Sequence, residues 1–271
     1  MSPLENHIQQ PPWAATPGGV RAQARSGGFS GNTSGMAPGF GQGNLVILPK
    51  RWAADFYDYC RANPTPCPLI GMTEPGSPAV PGLGDDIDLR TDLPRYRVWR
   101  DGLLVDEVTD ITNLWQDDFV GFVLGCSLSF EHALEQAGLR VRHVDEGKIV
   151  PMYRSSIQTT RAGVFHGPMV VSMRPYTSEE AKIAYDVCAR LPGAHGAPVH
   201  IGDPSVIGID DVNQPDEGEP TEIRPGELAV FWGCGVTPQA AALFAKPSIL
   251  ITHAPGHMLI SDVPVEELRL I

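Results

Sequence analysis

The chain has 271 residues, of which 42% are hydrophobic and 19% are charged, and its formal net charge is −12. This length and apolar content suffice for one or two domains with a buried core. The acidic balance, without a basic stripe or cluster, argues against a nucleic-acid-binding or anionic-membrane-binding surface. The acidic composition does not exclude a small anionic substrate, because a local arginine pocket can bind an anion within an acidic protein.

The cysteines and the polar first residues predict a cytoplasmic protein. The chain has 5 cysteines, and an odd number without a signal peptide suits a reducing compartment better than secretion. Their spacings contain no Cys-x-x-Cys pair, which argues against a structural zinc ribbon. No apolar run approaches the ~18 residues that a membrane helix needs.

The first half of the chain predicts an irregular start followed by short elements. Residues 1–19 are polar and proline-rich and are expected to be frayed, and the glycine-rich residues 21–43 are expected to wrap around the body. Apolar spacing and turn residues then define the elements. They are a strand at 44–49, a helix at 52–62, a hairpin of 96–99 and 103–108 around Asp101-Gly102, and helices at 115–124 and 129–138.

The second half alternates between strands and helices. This alternation predicts parallel pairing and an α/β class, with a mixed or parallel sheet as its core. The predicted strands are 168–173, 198–202, 227–232 and 248–252, and the predicted helices are 178–191 and 237–245.

A short internal repeat links two parts of the chain. Gly125-Cys126 and Gly233-Cys234 are each followed by a hydroxyl residue three positions after the cysteine, and then by a predicted helix. The residues before the two copies differ, helical in one and strand-like in the other. A gene duplication is therefore left open.

Residues 231–239, FWGCGVTPQ, are the strongest candidate for part of an active site. An apolar strand ends there in a glycine-rich turn, and Thr237 followed by Pro238 predicts a helix with Thr237 as its N-cap. Ligands of open α/β sheets bind at such strand ends, near helix N-termini. We predict catalytic roles for Cys234 and Thr237 and a substrate contact for Gln239, with the helix dipole lowering the pKa of the Cys234 thiol. The alternative is a small cysteine buried at a tight turn.

A second group of candidates lies at residues 195–204. His200 is predicted to point away from its two apolar neighbours, because side chains alternate along a strand, and it is a candidate general acid or base. His195 is a candidate substrate contact. The alternative is a divalent-metal site with His195, His200 and Asp203 as ligands, although the spacing fixes no third ligand.

Two further histidines follow the last predicted strand, in residues 251–258, ITHAPGHM. The proline and glycine between them exclude a regular helix, so both imidazoles are expected on a loop. We predict that His257 is a catalytic acid and that His253 contacts the substrate. Hydrogen-bonded loop histidines without a catalytic role are the alternative.

Two arginines are candidates for binding a substrate carboxylate. Arg174 is predicted to end a strand, where a bidentate contact with a carboxylate would be well placed. Arg154 lies in the segment Met152-Tyr153-Arg154 and is the second candidate.

Several runs together resemble the bacterial hydro-lyase family that is related to D-glutamate cyclase. The resemblance extends over about residues 21–262 and rests on a specific combination of runs. They are NLVILPK (44–50), NPTPCPL (63–69), DLRTDLPRYRVWRDG (88–102), GPMVVSMRP (167–175), HGAPVHIGDP (195–204), FWGCGVTPQ (231–239) and ITHAPGHM (251–258).

The resemblance implies a lyase with an α/β architecture and a second, smaller α/β subdomain. We expect a main domain at residues 1–150 plus 226–271 and an inserted subdomain at 151–225. By analogy, the reaction would be the loss of water as D-glutamate closes to 5-oxo-D-proline. We expect a small carboxylate substrate, no cofactor unless the histidines bind a divalent metal, and association into a homo-oligomer.

Two other functions remain as alternatives. A cofactor-independent racemase or epimerase would use Cys126 and Cys234 as its two thiols, which the Gly-Cys repeat suggests. A non-catalytic carboxylate-binding protein is the other.

Overall fold

The computed structural model describes residues 11–271, which form two sheets flanked by helices. The strands are β1 (Phe40–Pro49), β2 (Leu69–Met72), β3 (Tyr96–Arg100), β4 (Leu103–Val108), β5 (Phe119–Gly125), β6 (Met152–Gln158), β7 (Pro168–Thr177), β8 (His200–Ile201), β9 (Glu227–Gly233), β10 (Leu250–His253) and β11 (Leu259–Pro264). The α-helices are α1 (Pro17–Arg25), α2 (Lys50–Ala62), α3 (Leu128–Gln136), α4 (Arg142–Asp145), α5 (Ser178–Cys188) and α6 (Val236–Ala245). Short 3₁₀ helices lie at Pro12–Ala15, Thr112–Leu114, Pro192–Ala194, Pro204–Ile207 and Val265–Glu267.

The larger sheet has 7 strands in the order β2-β5-β1-β10-β3-β4, with β11 also pairing with β1. The smaller sheet has 4 strands in the order β6-β7-β9-β8. The α/β class is confirmed, but the predicted parallel pairing is wrong, because every strand pair within residues 11–271 is antiparallel. The alternation of strands and helices did not predict the pairing correctly because α6 connects β9 in one sheet to β10 in the other. This strand–helix–strand unit therefore does not form a parallel pair.

Most predicted elements occur within a few residues of their expected positions, and one is wrong. Residues 115–124 were expected to be helical, yet they lead into β5, all of whose residues are buried. A strand buried on both faces lacks the alternation of polar and apolar residues, so its apolar run cannot be told from a buried helix. The hairpin is confirmed, with positive φ angles of 50° at Asp101 and 83° at Gly102, as a tight two-residue turn requires.

The N-terminal region is ordered from residue 11 onward, contrary to the expectation of fraying to residue 19. Pro12–Ala15 and α1 are helical, and Arg21 in α1 is only 2% exposed. Its guanidinium pairs with Asp86 at 2.5 Å and with Asp262 at 2.9 Å. The rest of the segment predicted to be frayed, residues 1–10, lies outside the described residues.

Two strand-to-helix turns share the same local plan. β5 ends at Gly125 and α3 begins at Leu128, while β9 ends at Gly233 and α6 begins at Val236. A Cβ atom on Gly125 would overlap the carbonyl oxygen of Gly193. Glycine is therefore required where this turn packs against the neighbouring backbone.

The predicted division into a main domain and an inserted subdomain at 151–225 stays a prediction. The strands of the smaller sheet span residues 152–233, so that sheet includes β9 as well. No helix among residues 11–271 has the length and hydropathy needed to cross a membrane.

Candidate active site

The two Gly-Cys turns line one narrow cleft. Cys126 follows β5 and Cys234 follows β9, and both side chains contribute to the wall of the cleft. The two copies of the short sequence repeat are therefore close together in the structure, on the wall of the same cleft. The other lining residues are Asn32, Ser34, Asn44, Ser127, Leu128, Lys148, Ile149, Val150, Met152, Val236, His253, Pro255, Gly256 and Met258.

Both helices that follow the cysteines begin at this cleft without a side-chain cap. The N-cap residues are Ser127 for α3 and Gly235 for α6, and neither forms a side-chain hydrogen bond with a backbone N–H group of the first helical turn. Leu128 and Val236, the first helical residues, line the cleft. Uncapped helix N-termini present backbone N–H donors and partial positive charge, so the cleft suits a carboxylate or a developing oxyanion.

The two cleft thiols are protonated at neutral pH. Burial raises the pKa of Cys126 to about 12 and that of Cys234 to about 11. The backbone N–H groups of Leu128 and Val236 and the charge of Arg174 act in the opposite direction but do not outweigh burial. The expectation of a lowered Cys234 pKa is therefore wrong, and both cysteines suit the role of hydrogen-bond donor or acid better than that of a resting nucleophile.

Asn44 connects the two turns. This buried side chain of β1 donates from Nδ2 to the carbonyl oxygen of Gly125 at 2.8 Å and to that of Leu124 at 3.3 Å. On its other side it packs against Gly235, where an added Cβ would overlap the amide group of Asn44. One amide therefore fixes the separation of the two turns.

His253 is the last residue of β10 and not a loop residue as expected, and it presents a neutral imidazole to the cleft. Its Nδ1 accepts a hydrogen bond from the backbone N–H of Leu45 at 3.1 Å, and the Gln239 amide nitrogen lies 2.6 Å from the same atom. Because a backbone N–H can only donate, the neutral ring carries its proton on Nε2. Burial lowers the pKa of His253 to about 3, so the ring is uncharged at neutral pH. The structure thus brings His253 to the cleft and places Gln239 directly against it.

Two residues predicted to be catalytic have other contacts. Thr237 is not the N-cap of α6, which begins one residue earlier. It is buried, and its Oγ1 accepts a hydrogen bond from the backbone N–H of Val170 at 2.9 Å, which joins α6 to β7. His257 lies on the loop after β10, as expected, but its Nδ1 is 2.7 Å from the carbonyl oxygen of Pro255. Burial also lowers the pKa of His257.

The candidates at residues 195–204 lie outside the cleft wall. His200 is on β8, where its ring stacks on Phe231 with 5.9 Å between ring centroids, and its Nε2 is 2.7 Å from the carbonyl oxygen of Asp203. His195 is buried with its Nδ1 2.8 Å from the carbonyl oxygen of Thr65. In the described part of the chain no three His, Cys, Asp or Glu side chains converge to hold a metal ion. His195, His200 and Asp203 therefore do not form a preassembled metal site.

Arg174 is buried behind the cleft instead of facing a substrate. It is only 1% exposed and forms an ion pair with the buried Glu131. Its Nη2 also donates to Ser127 Oγ at 3.2 Å, and its guanidinium lies over the rings of Phe130 and Trp232 at 4.8 and 5.5 Å. The expectation that it ends a strand is wrong because β7 continues to Thr177. Its Nη1 and Nη2 groups are hydrogen-bonded to protein partners, and Arg174 supports the cleft from behind through Ser127.

Arg154 lies on β6 with its side chain 72% exposed, on the wall of a separate groove beside the cleft.

Sequence reasoning missed Asn44, Asn32 and Ser34 as lining residues of the cleft. It reached Cys126 only through the racemase alternative, although the Gly-Cys repeat was the signal that identified it.

The buried contacts among Arg174, Glu131 and His143 predict that substitutions of Arg174 and Glu131 affect the free energy of unfolding non-additively. Glu131 also contacts His143 Nε2 at 3.0 Å, and although burial raises its pKa, the charges of His143 and Arg174 lower it overall. Arg174→Met should destabilise the protein by about 3–5 kcal/mol, because it leaves a carboxylate buried without its guanidinium. Adding Glu131→Gln should recover part of that loss, as measured by urea unfolding. Unchanged stability with a raised KM in Arg174→Met would instead favour the substrate-clamp role.

The neutral buried histidines predict a loss of stability in mild acid. Burial lowers the pKa of His195 from 6.5 to about 4 and that of His253 to about 3. The unfolded chain therefore takes up protons below about pH 6.5 that the folded protein does not, and the free energy of unfolding falls by up to about 1.4 kcal/mol per pH unit for each ring.

His195→Asn should reduce this pH slope, and asparagine tolerates the positive φ of 75° at this position. The measurement is urea unfolding at several pH values between about 6 and 4.5. A variant slope equal to that of the wild type would show that His195 is not the group responsible.

Comparisons with known proteins identify the family. The model of the D-glutamate cyclase family matches residues 120–262. A "Putative hydro-lyase" from Verminephrobacter eiseniae is 60% identical over 244 residues, which cover 90% of this chain and 89% of that protein. Relatives from Bordetella petrii and Bacillus licheniformis whose names also begin "Putative hydro-lyase" are 55% and 52% identical, covering 93% and 94% of this chain and 96% and 97% of their own lengths. The chain therefore belongs to the D-glutamate cyclase family of hydro-lyases.

Proposed function

We propose that this enzyme is a carbon–oxygen lyase that removes water from a small amino or hydroxy acid in the cleft between Cys126 and Cys234. The first reaction to test is the closure of D-glutamate to 5-oxo-D-proline. The observation that carries the proposal is the meeting of two uncapped helix N-termini and two protonated thiols at one cleft. This set can bind a carboxyl group, stabilise an oxyanion and supply a proton.

The chemistry assigns a task to each group. In the cyclisation, the amino nitrogen attacks the carbon of the side-chain carboxyl group, a carbon–nitrogen bond forms, and a carbon–oxygen bond breaks to release water. The N–H groups at the starts of α3 and α6 and the Nε2–H of His253 would stabilise the oxygen that becomes negative. The attacking ammonium nitrogen loses two protons and the departing carboxylate oxygen takes up two, so no external acid or base is consumed. A thiol, Cys234 in our proposal, would donate a proton to the departing oxygen and recover one from the nitrogen.

The direct test is turnover of D-glutamate by the purified protein and its Cys234→Ala variant. Removing a general acid should lower kcat by about 10²-fold or more. Cys60→Ala, at a buried thiol in α2 that does not line the cleft, is the matched control and should keep most of the activity. No turnover by the wild type, together with a melting temperature that D-glutamate does not change, would eliminate this substrate.

A racemase or epimerase is the second candidate, and the presence of Cys126 and Cys234 on one cleft favours it. One cysteine, after losing its own proton, would act as a thiolate and remove the proton from Cα, and the other, as a thiol, would return a proton from the opposite face. The expected result is deuterium incorporation at Cα of the amino acid in heavy water without net loss of water. Full activity in Cys126→Ala would remove this candidate.

We also propose that the enzyme works in the cytoplasm and without a cofactor. Its five cysteines are free thiols, which suits a reducing compartment. The cleft groups named above account for binding, oxyanion stabilisation and proton donation. Association into a homo-oligomer stays a prediction.

A further inference from the structure

A larger groove lies beside the cleft and shares part of its wall. Met152, Val236 and Pro255 line both spaces. The cleft encloses about 30 Å³ and the groove about 530 Å³. Because one buried water needs at least about 10–15 Å³ of such space, the cleft has room for a group the size of a carboxyl but not for a whole amino acid. The rest of a substrate must extend into the groove.

The groove is formed between the two sheets and has largely apolar walls. Trp99 comes from β3, Val170 from β7, and Leu243 and Phe244 from α6. Phe244 is 64% exposed, and its ring packs edge-on against His166 with 4.6 Å between ring centroids. A large exposed aromatic residue on the wall of a groove that adjoins a candidate active site is well placed to contact a ligand.

The charged residues of the groove nearly balance one another. Arg97 faces Glu217 at 3.8 Å, and Arg154 faces Asp216 at 3.9 Å. Lys246 is the remaining charged side chain of the lining. The groove therefore offers an apolar surface with little net charge, which suits an uncharged extension better than a second anionic group.

We propose that this groove binds an aromatic or other apolar arm of the substrate, whose reacting carboxyl group enters the cleft. The substrate class is an amino or hydroxy acid with an uncharged substituent on the side remote from the reacting carboxyl, such as a D-glutamate whose α-carboxyl is an amide. The inference rests on the proposed function for the position of the reacting group. The arm itself is recognised by Phe244.

The test compares D-glutamate with its α-benzylamide, which retains the free amine and the side-chain carboxylate. The wild type should have a kcat/KM about tenfold higher for the benzylamide, as expected for one buried aromatic contact. Phe244→Ser should reduce that preference at least about fivefold, with an unchanged melting temperature. Val206→Ser, at a residue that is 69% exposed and outside the groove lining, is the matched control and should keep the preference. Equal kcat/KM values for the two substrates would overturn the inference.

Calorimetric binding separates this inference from the proposed function. If neither compound is turned over, but the benzylamide binds more tightly than D-glutamate and Phe244→Ser removes the difference, the groove inference stands and the proposed reaction fails. Binding of the benzylamide that does not depend on Phe244 would overturn the groove inference, whether or not turnover occurs.

Discussion

The Asn44 amide occupies the space between two strand-to-helix turns, and the candidate site depends on this contact. Its Nδ2 donates to the carbonyl groups of Leu124 and Gly125 in one turn, and the same amide packs against Gly235 in the other. Both turns need glycine because the neighbouring groups approach too closely for a Cβ atom. As a result, the helices α3 and α6 begin at one cleft, and the cysteine of each turn lines it.

Burial then determines the chemical state of the site. The cleft thiols and His253 are buried, so the thiol pKa values rise and the imidazole pKa falls, and all three groups are neutral at neutral pH. The charged Arg174 lies behind the cleft and is paired with Glu131, which in turn contacts His143. A negatively charged substrate would thus meet these neutral donors, the helix N-termini and Lys148 of the cleft lining, and those interactions strengthen in surroundings that exclude water.

The sequence predicted the residues that line the candidate cleft better than their ionisation and contacts. The repeated Gly-Cys pattern and the histidine after the last predicted strand indicated Cys126, Cys234 and His253, because turns after strands carry recognisable residue types. Asn44 left no such signal, since a buried asparagine in a strand has no local pattern. The cap assigned to Thr237 was wrong and the buried ion pair of Arg174 was missed, because each depends on a partner distant in sequence, Val170 for the threonine and Glu131 for the arginine. The antiparallel pairing could not be predicted from the sequence either, because the direction of pairing depends on which of the two sheets each strand joins.

In the proposed reaction, a carboxyl group of the substrate binds between the starts of α3 and α6. A crystal structure with 5-oxo-D-proline or D-glutamate bound would show whether it does. We predict a ligand oxygen within hydrogen-bonding distance of backbone N–H groups at both Leu128 and Val236, with Cys126, Cys234 and His253 around it. A ligand bound at Arg174, or at a place that leaves this cleft empty, would contradict the account.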